Sequence, residues 1–392
     1  MAAWRTRGQP AALAAIAVAS STGAPPHALL LTGPTGSGKT TLALDLAAAL
    51  LCAAADVADR PCRVCPACRR VAHGNHPDLH RLAPSGPGRQ IRIGDRLAPE
   101  PGTVRSLARE LSLAPLEGAW RVAVIEEADR LNEDSQNAML KLLEEPPAGT
   151  VLVLCVANED VLLPTVRSRC VHLRLGPVPP RQIAEMLEEE GIADAASAEA
   201  LAGLSDGRPG RARALVAAPQ AVVLHQRILR ELLDLTRQGR AERLGAASGL
   251  LASADELEGL LGGAAGPAAP ETAMDAPGTA ASTDAPDDEA SGGGRRDRQA
   301  PGARRASLLA LARLWAGLAR DLAIAGRGGR AEIRHVDLLE ELLATAAALP
   351  RGTADSFLAL LDTVADAAAR NANPELALDV LLLAWPHATR AA

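Results

Sequence analysis

The chain has 392 residues, 41 Lys+Arg against 47 Asp+Glu and a formal net charge of −6, and 48% of its residues are apolar. That length predicts two or three domains. Its rings are few, four Trp, one Phe and no Tyr, so binding of single-stranded nucleic acid on stacked aromatics is excluded, and a net acidic chain is no general polyanion binder.

In chain order, Arg5 and Arg7 precede the apolar stretch Ala11 to Ala19. A secretory leader is one reading of that pattern; an Ala-rich first helix leading into a nucleotide motif of the cytoplasm is the expected one. No apolar run reaches the roughly 18 residues of a membrane span. Residues 28–32 (ALLLT) are a short apolar run of buried-strand type, followed by a glycine loop and a helical stretch from Lys39 to about Leu51. Residues 121–125 (RVAVI) and 151–156 (VLVLCV) are two more such strands, and residues 134–145 between them read as a helix stopped by Pro146 and Pro147. Strands separated by helices predict an α/β fold with a parallel sheet covered on both faces.

After Gly176 no strand is expected. Residues 180–216 read as short helices broken at Gly207-Arg208-Pro209-Gly210, and 218–261 and 305–390 as Leu/Ala-periodic helices. Residues 263–304, composed of Gly, Pro, Ala, Asp and Ser, bury too little to offset ordering entropy and are expected to be a disordered insertion. A smaller Pro/Gly loop occupies 83–102.

Gly33-Pro34-Thr35-Gly36-Ser37-Gly38-Lys39-Thr40 satisfies G-x-x-x-x-G-K-[ST], with the strand before and the helix after that a phosphate-binding loop requires. Its glycines let backbone N–H groups wrap phosphates at a helix N-terminus. Lys39 is expected on the β/γ-phosphates of ATP and Thr40 on Mg²⁺. On the neighbouring strand, Glu126 stands where the metal-holding acid is expected and Glu127 where a water-activating base would be; the alternative is a solvated or helix-capping pair. Glu is longer than the usual Asp, and octahedral Mg²⁺ tolerates little misplacement. Cys52, Cys62, Cys65 and Cys68 predict a closed, structural Zn²⁺ site, against free thiols or disulfides. Cys155 and Cys170 read as core thiols, and His73 and His76 as loop or surface residues. Arg169, between Ser168 and Cys170, read alone predicts a surface ion pair.

The order of GPTGSGKT (33–40), four cysteines, HPDL (76–79), NAMLKLLEEPP (137–147) and LLPTVRSRC (162–170) resembles the bacterial clamp-loader subunits of the AAA+ class. The resemblance covers the first 176 residues closely and the last domain only by helical character and NPELAL (373–378). It implies an AAA+ domain over 1–176 with an inserted zinc module at 52–68, a helical lid over 177–217, and an all-α collar over 218–392. Within that family, HPDL and GRPGRARAL (207–215) look like the delta-prime subunit rather than the gamma/tau motor. In gamma/tau, an arginine sensing the γ-phosphate follows the glycine by three places, whereas Arg211 directly follows Gly210. The implied role is in a cytoplasmic, nucleoid-associated ring with delta and gamma/tau subunits, loading the sliding clamp of DNA polymerase III on primed DNA with weak or no ATPase of its own. Arg169 then matches the arginine finger that completes a neighbour's ATP site. A gamma/tau-like ATPase is the alternative; a P-loop phosphotransferase of another kind leaves the LEEPP and SRC tracts without a role.

Overall fold

In the computed structural model, which describes residues 2–85, 90–264, 301–330, 332–369 and 372–388, five strands lie side by side in the order β2-β3-β4-β1-β5, every pair parallel. They are β1 (Ala28–Thr32), β2 (Leu79–Leu82), β3 (Arg121–Ile125), β4 (Thr150–Val156) and β5 (Val171–Arg174). The central β1, β3 and β4 are buried at every position, which is why they read as uninterrupted apolar runs: helices cover both faces. β2 and β5 escape sequence reading because each is four residues long and interrupted by His and Arg. They are the edge strands, where one side needs no apolar partner.

The helices of this part are α1 (Pro10–Ser21), α2 (Lys39–Leu50), α3 (Pro66–His73), α4 (Val104–Leu111), α5 (Glu133–Glu144), α6 (Pro164–Arg167), α7 (Pro180–Glu189), α8 (Ala195–Leu204) and α9 (Pro209–Ala217). One core joins Ile16, Leu42, Leu46 and Val71 to side chains on one face of the sheet, with Trp4, Cys62 and Cys65 packed at its margin. The other joins Leu107, Leu111, Met139 and Leu143 to the opposite face. A third, smaller core (Val178, Ile183, Met186, Leu187, Ala198, Ala202 and Ala212) ties α7, α8 and α9 together. Pro209, expected to break a helix, instead opens α9; its missing N–H costs nothing in a first helical turn.

The chain divides into two compact units, Met1–Val216 and Ala217–Ala392, so the three α7–α9 helices belong to the sheet's unit. The second unit is entirely helical among its described residues: α10 (Pro219–Asp234), α11 (Arg240–Gly245), α12 (Ala247–Ala264), α13 (Pro301–Gly326), α14 (Leu339–Ala348), α15 (Thr353–Ala369) and α16 (Pro374–Ala384), with short 3₁₀ turns. Three of the chain's five aromatic residues meet in it: Trp315, Phe357 and Trp385 have ring centroids 4.6–5.4 Å apart. The buried Arg243 guanidinium donates to the Trp385 and Pro386 carbonyls at the end of α16, supplying partners for a helix terminus that needs them. Of the segment 263–304, residues 263–264 end α12 and 301–304 begin α13; 265–300 lie outside the described residues. No helix among the described residues is long and apolar enough to cross a membrane.

One buried carboxylate anchors the N-terminal segment. Asp45 of α2, 1% exposed, accepts from the backbone N–H groups of Arg5 and Thr6, from the Thr6 hydroxyl, and from Arg63. Arg63 Nε donates to Ala3 O, and Ala3 N to Pro61 O. Asp45→Ala leaves these donors without an acceptor, and the loss of a buried charged partner costs about 3–5 kcal/mol; a fall in the urea midpoint of unfolding, with an unchanged slope, is the expected result.

Candidate nucleotide loop, thiolate cluster and arginine

The phosphate-loop residues come together as the motif predicts. Gly33 leaves β1 with φ +151°, and a Cβ there would lie 2.6 Å from Leu175 O. Gly38, at φ +98°, caps α2 with no side-chain hydrogen bond, so the first N–H groups of that helix point at the loop without a protein side-chain cap. The Ser37 hydroxyl is buried and has no partner, an orphan that a phosphate oxygen or hydrated cation would satisfy. Lys39 Nζ turns back onto Gly33 O (2.6 Å) and Pro34 O (2.9 Å). Burial holds its pKa below the ordinary lysine value, while nearby Cys155, Asp129 and Glu127 oppose that shift. The glycine cradle, orphan hydroxyl and uncapped helix fit a nucleotide's phosphates. The α9 end rests on the same loop, since Gly210 N donates to Gly36 O at 3.0 Å.

The acidic pair at the end of β3 is less regular. Glu126 is bound by Arg81 of β2, Nε and Nη2 both reaching Oε1 at 2.8 and 2.6 Å. Glu127 is left-handed at φ +46°, an unusual state for a side-chain-bearing residue, and lies 3.7 Å from Arg130. Asp129, unremarked by motif reading, is the additional acid: its carboxylate bears on Lys39 and accepts from Ala157 N at 3.3 Å. No pattern signalled it, because it enters the site only through the 3₁₀ turn Ala128–Arg130 after Glu127. Asn158 caps the next turn through Asp160 N. Arg211 and Arg208 are both buried, and Arg208 pairs with Asp206 at 2.8 Å.

Cys52, Cys62, Cys65 and Cys68 converge, their sulfurs all within 4.8 Å of one another. Cys52 Sγ is 3.5 Å from Cys62 Sγ and 4.0 Å from Cys65 Sγ, close to the edge of roughly 3.8 Å expected for tetrahedral Zn–S bonds of about 2.3 Å. None is in a disulfide. Burial pushes the Cys68 thiol up to about 12 and raises Cys52, whereas backbone N–H groups of Cys65 and Val64 draw Cys62 down to about 6. A soft divalent cation suits such a donor set, because it replaces the protons that burial would otherwise retain. Cys155 is fully buried, raised to about 12, and is a core thiol; Cys170 is half-buried, packs at the margin of the core and donates to Val166 O. His73 is exposed, but His76 is buried: its Nδ1 accepts from Asp78 N, and the Asp78 carboxylate accepts from Leu116 N and Glu117 N. HPDL is therefore a structural clasp.

Arg169 lies away from its own phosphate loop. Val171 begins β5 beside Leu29, near the start of β1, whereas the loop leaves β1 after Thr32. At about 3.3 Å per residue the four steps from Leu29 to Gly33 set the start of β5 and the loop roughly 13 Å apart along the strand direction, at opposite ends of a sheet whose strands all point one way. Arg169 does make the ion pair that its neighbours alone suggest, with Glu144 at 2.6 Å.

Residues 8–179 match the family model described as DNA polymerase III, delta subunit. Subunit delta' of DNA polymerase III from Pseudomonas aeruginosa is 37% identical over 194 residues, 48% of this chain and 55% of that one. The Bacillus subtilis delta' subunit is 34% identical over 166 residues, 42% and 47% of the two chains. Subunit gamma/tau from Mycobacterium tuberculosis is 34% identical over 192 residues, 47% of this chain and 31% of the other. The chain thus spans about half the length of the delta' relatives and about a third of the gamma/tau relative. Over residues 8–179, then, the chain is similar to subunits of DNA polymerase III, delta' and gamma/tau alike.

Proposed function

We propose that this chain is a delta-prime-like subunit of a DNA polymerase III clamp loader, in a ring with gamma/tau and delta subunits that opens the sliding clamp and places it on primed DNA. The observation that carries this reading is the position of Arg169 at the sheet end opposite its own phosphate loop. A guanidinium there serves a nucleotide held by an adjacent subunit. Its chemistry is to meet negative charge developing on the transferred phosphoryl oxygens, for which an arginine supplied in trans is worth roughly 10³–10⁵ in rate. Residues 177–217 act as the lid and the second unit as the ring-forming collar, in the cytoplasm beside the nucleoid.

The chain's own loop binds nucleotide: Gly33 to Gly38 cradle the phosphates, Lys39 neutralises them, and Thr40 meets Mg²⁺. Turnover there is weak, because Arg81 engages Glu126 and the glutamate next to it is held in a left-handed turn. A gamma/tau-like motor is the second reading, favoured by the complete loop and by Asp129, whose charge acts on Lys39. The four cysteines hold structural Zn²⁺, joining the end of α2 to the start of α3.

Arg169→Ala in a reconstituted ring is expected to remove the pre-steady-state phosphate burst of one site and to stop clamp loading. A ring with its full burst and normal loading refutes the trans role. Lys39→Ala should abolish binding of a fluorescent ATP analogue to the isolated chain and leave Arg169-dependent turnover in the ring intact; isolated wild-type chain that hydrolyses ATP at the ring's rate would favour the motor reading. For the metal, one zinc per chain is expected, lost in Cys62→Ser. Apparent zinc affinity should rise with pH, since binding displaces protons from the raised Cys68 and Cys52 thiols while Cys62 is already a thiolate at pH 7. Titration against a chromogenic chelator between pH 6 and 8 checks the slope, and a flat profile would count against a four-thiolate shell.

A further inference from the structure

Three groups hold the Arg169 guanidinium. Nη1 donates to Thr165 O at 2.8 Å and to Ser168 Oγ at 3.4 Å, and Nη2 meets Glu144 Oε1 at 2.6 Å. The first two are neighbours along the chain and travel with the arginine. Glu144 comes from another element: it is the last residue of α5, immediately before Glu145 and the prolines that end the helix. A carboxylate in the last helical turn faces the negative end of the helix dipole, so helix stability does not favour an acid there.

What fixes Glu144 relative to Arg169 is the bracing of α5. Gln136 Nε2 donates to Leu131 O and Val161 O, and Gln136 Oε1 accepts from Leu163 N at 2.7 Å, joining α5 to the residue that precedes α6. Ser135 Oγ adds a bond to Ile91 O. The carboxylate and the guanidinium thus hang from one rigid frame, beside an open depression of about 440 Å³ lined by His27, Leu143, Cys170 and Val171 as well as the pair itself. An arginine has five N–H donors in a planar fork; the contacts above engage three of them and leave two for an anion.

We propose that Glu144 is the positioning residue of Arg169, holding the guanidinium in the orientation it presents to the nucleotide of an adjacent subunit. This rests on the trans role given to Arg169 above. Without Glu144 the arginine keeps only its two local contacts and recovers side-chain freedom, so fewer encounters have the fork aligned when charge develops on the phosphate. Glu144 does not touch the nucleotide, so its loss lowers the rate and leaves ATP affinity alone.

The test is the Arg169-dependent phosphate burst of the reconstituted ring, with Arg169→Ala as its zero. Glu144→Ala is expected to slow that burst about tenfold at an unchanged half-saturating ATP concentration. Glu144→Gln, isosteric and still an acceptor at Oε1, should keep at least half of the wild-type rate. Adding Glu144→Ala to Arg169→Ala should cost nothing further, because the two residues act as one unit. If Glu144→Ala does not assemble, Glu144→Asp, one methylene short of the contact, replaces it with the same expectation. A wild-type burst in the assembled Ala or Asp ring, a Gln ring as slow as the Ala ring, or an additive double variant overturns the positioning role while leaving the trans role standing. An Arg169→Ala ring with a full burst overturns both, and so separates the two failures.

Discussion

Everything functional in this chain depends on the common direction of its five strands. A parallel sheet has two chemically different ends: the strands' C-terminal ends lead into loops that open helices, and their N-terminal ends receive chain from them. The phosphate loop stands at the first, where β1 runs into α2 through Gly33 to Gly38. Arg169 stands at the second, on the turn that feeds β5. An antiparallel edge strand would have brought the two together; the parallel one separates them by the length of β1. The trans role proposed for Arg169, half-buried beside Glu144, rests on that separation.

The same sheet explains how the nucleotide loop is buttressed. Its helix, α2, is packed between the sheet and the thiolate cluster, with Cys68 Sγ near Ala48 O and Asp45 gathering the N-terminal segment and Arg63. Buried carboxylates are stable only when their lone pairs are met, and here four donors from two stretches of chain meet one side chain. Further on, Gln9 makes a two-way contact with Gly176, its Nε2 donating to the carbonyl and its Oε1 accepting from the N–H. The N-terminal segment is thus tied to α2 at one end and to the exit of β5 at the other. Between those ties lies Gly8, left-handed at φ +67°, where a Cβ would come within 2.3 Å of Val178.

The second unit solves a different problem with similar economy. With so few rings in the chain, Trp315, Phe357 and Trp385 are concentrated at one point of an otherwise Leu/Ala core, and Trp385 Nε1 donates to Leu232 O. Nearby charge is also paired: Asp321, fully buried, accepts from His335 at both its backbone N–H and Nδ1. Large aromatic side chains supply the volume that many small ones would otherwise have to fill.

The sequence by itself determined the central strands, the phosphate loop, the cysteine quartet and the likeness to DNA polymerase III subunits, because each is written in contiguous residues: unbroken apolar runs for strands buried on both faces, fixed glycine spacing for a loop that wraps anions, cysteines close enough in the chain to share an ion. It missed β2 and β5, which are short and half polar, and it placed His76 outside the core, since nothing local shows that Asp78 and the loop at 116–117 close over it. Only the tertiary structure decided how the acids are used. Arg81 and Glu126 are 45 positions apart and meet because β2 and β3 are neighbours; Asp129 meets Ala157 N because a 3₁₀ turn folds back after β3; Glu144 pairs with Arg169 across two elements, α5 being pinned to the residue before α6. Charge pairing across elements depends on strand order and helix docking, which no periodicity along the chain encodes.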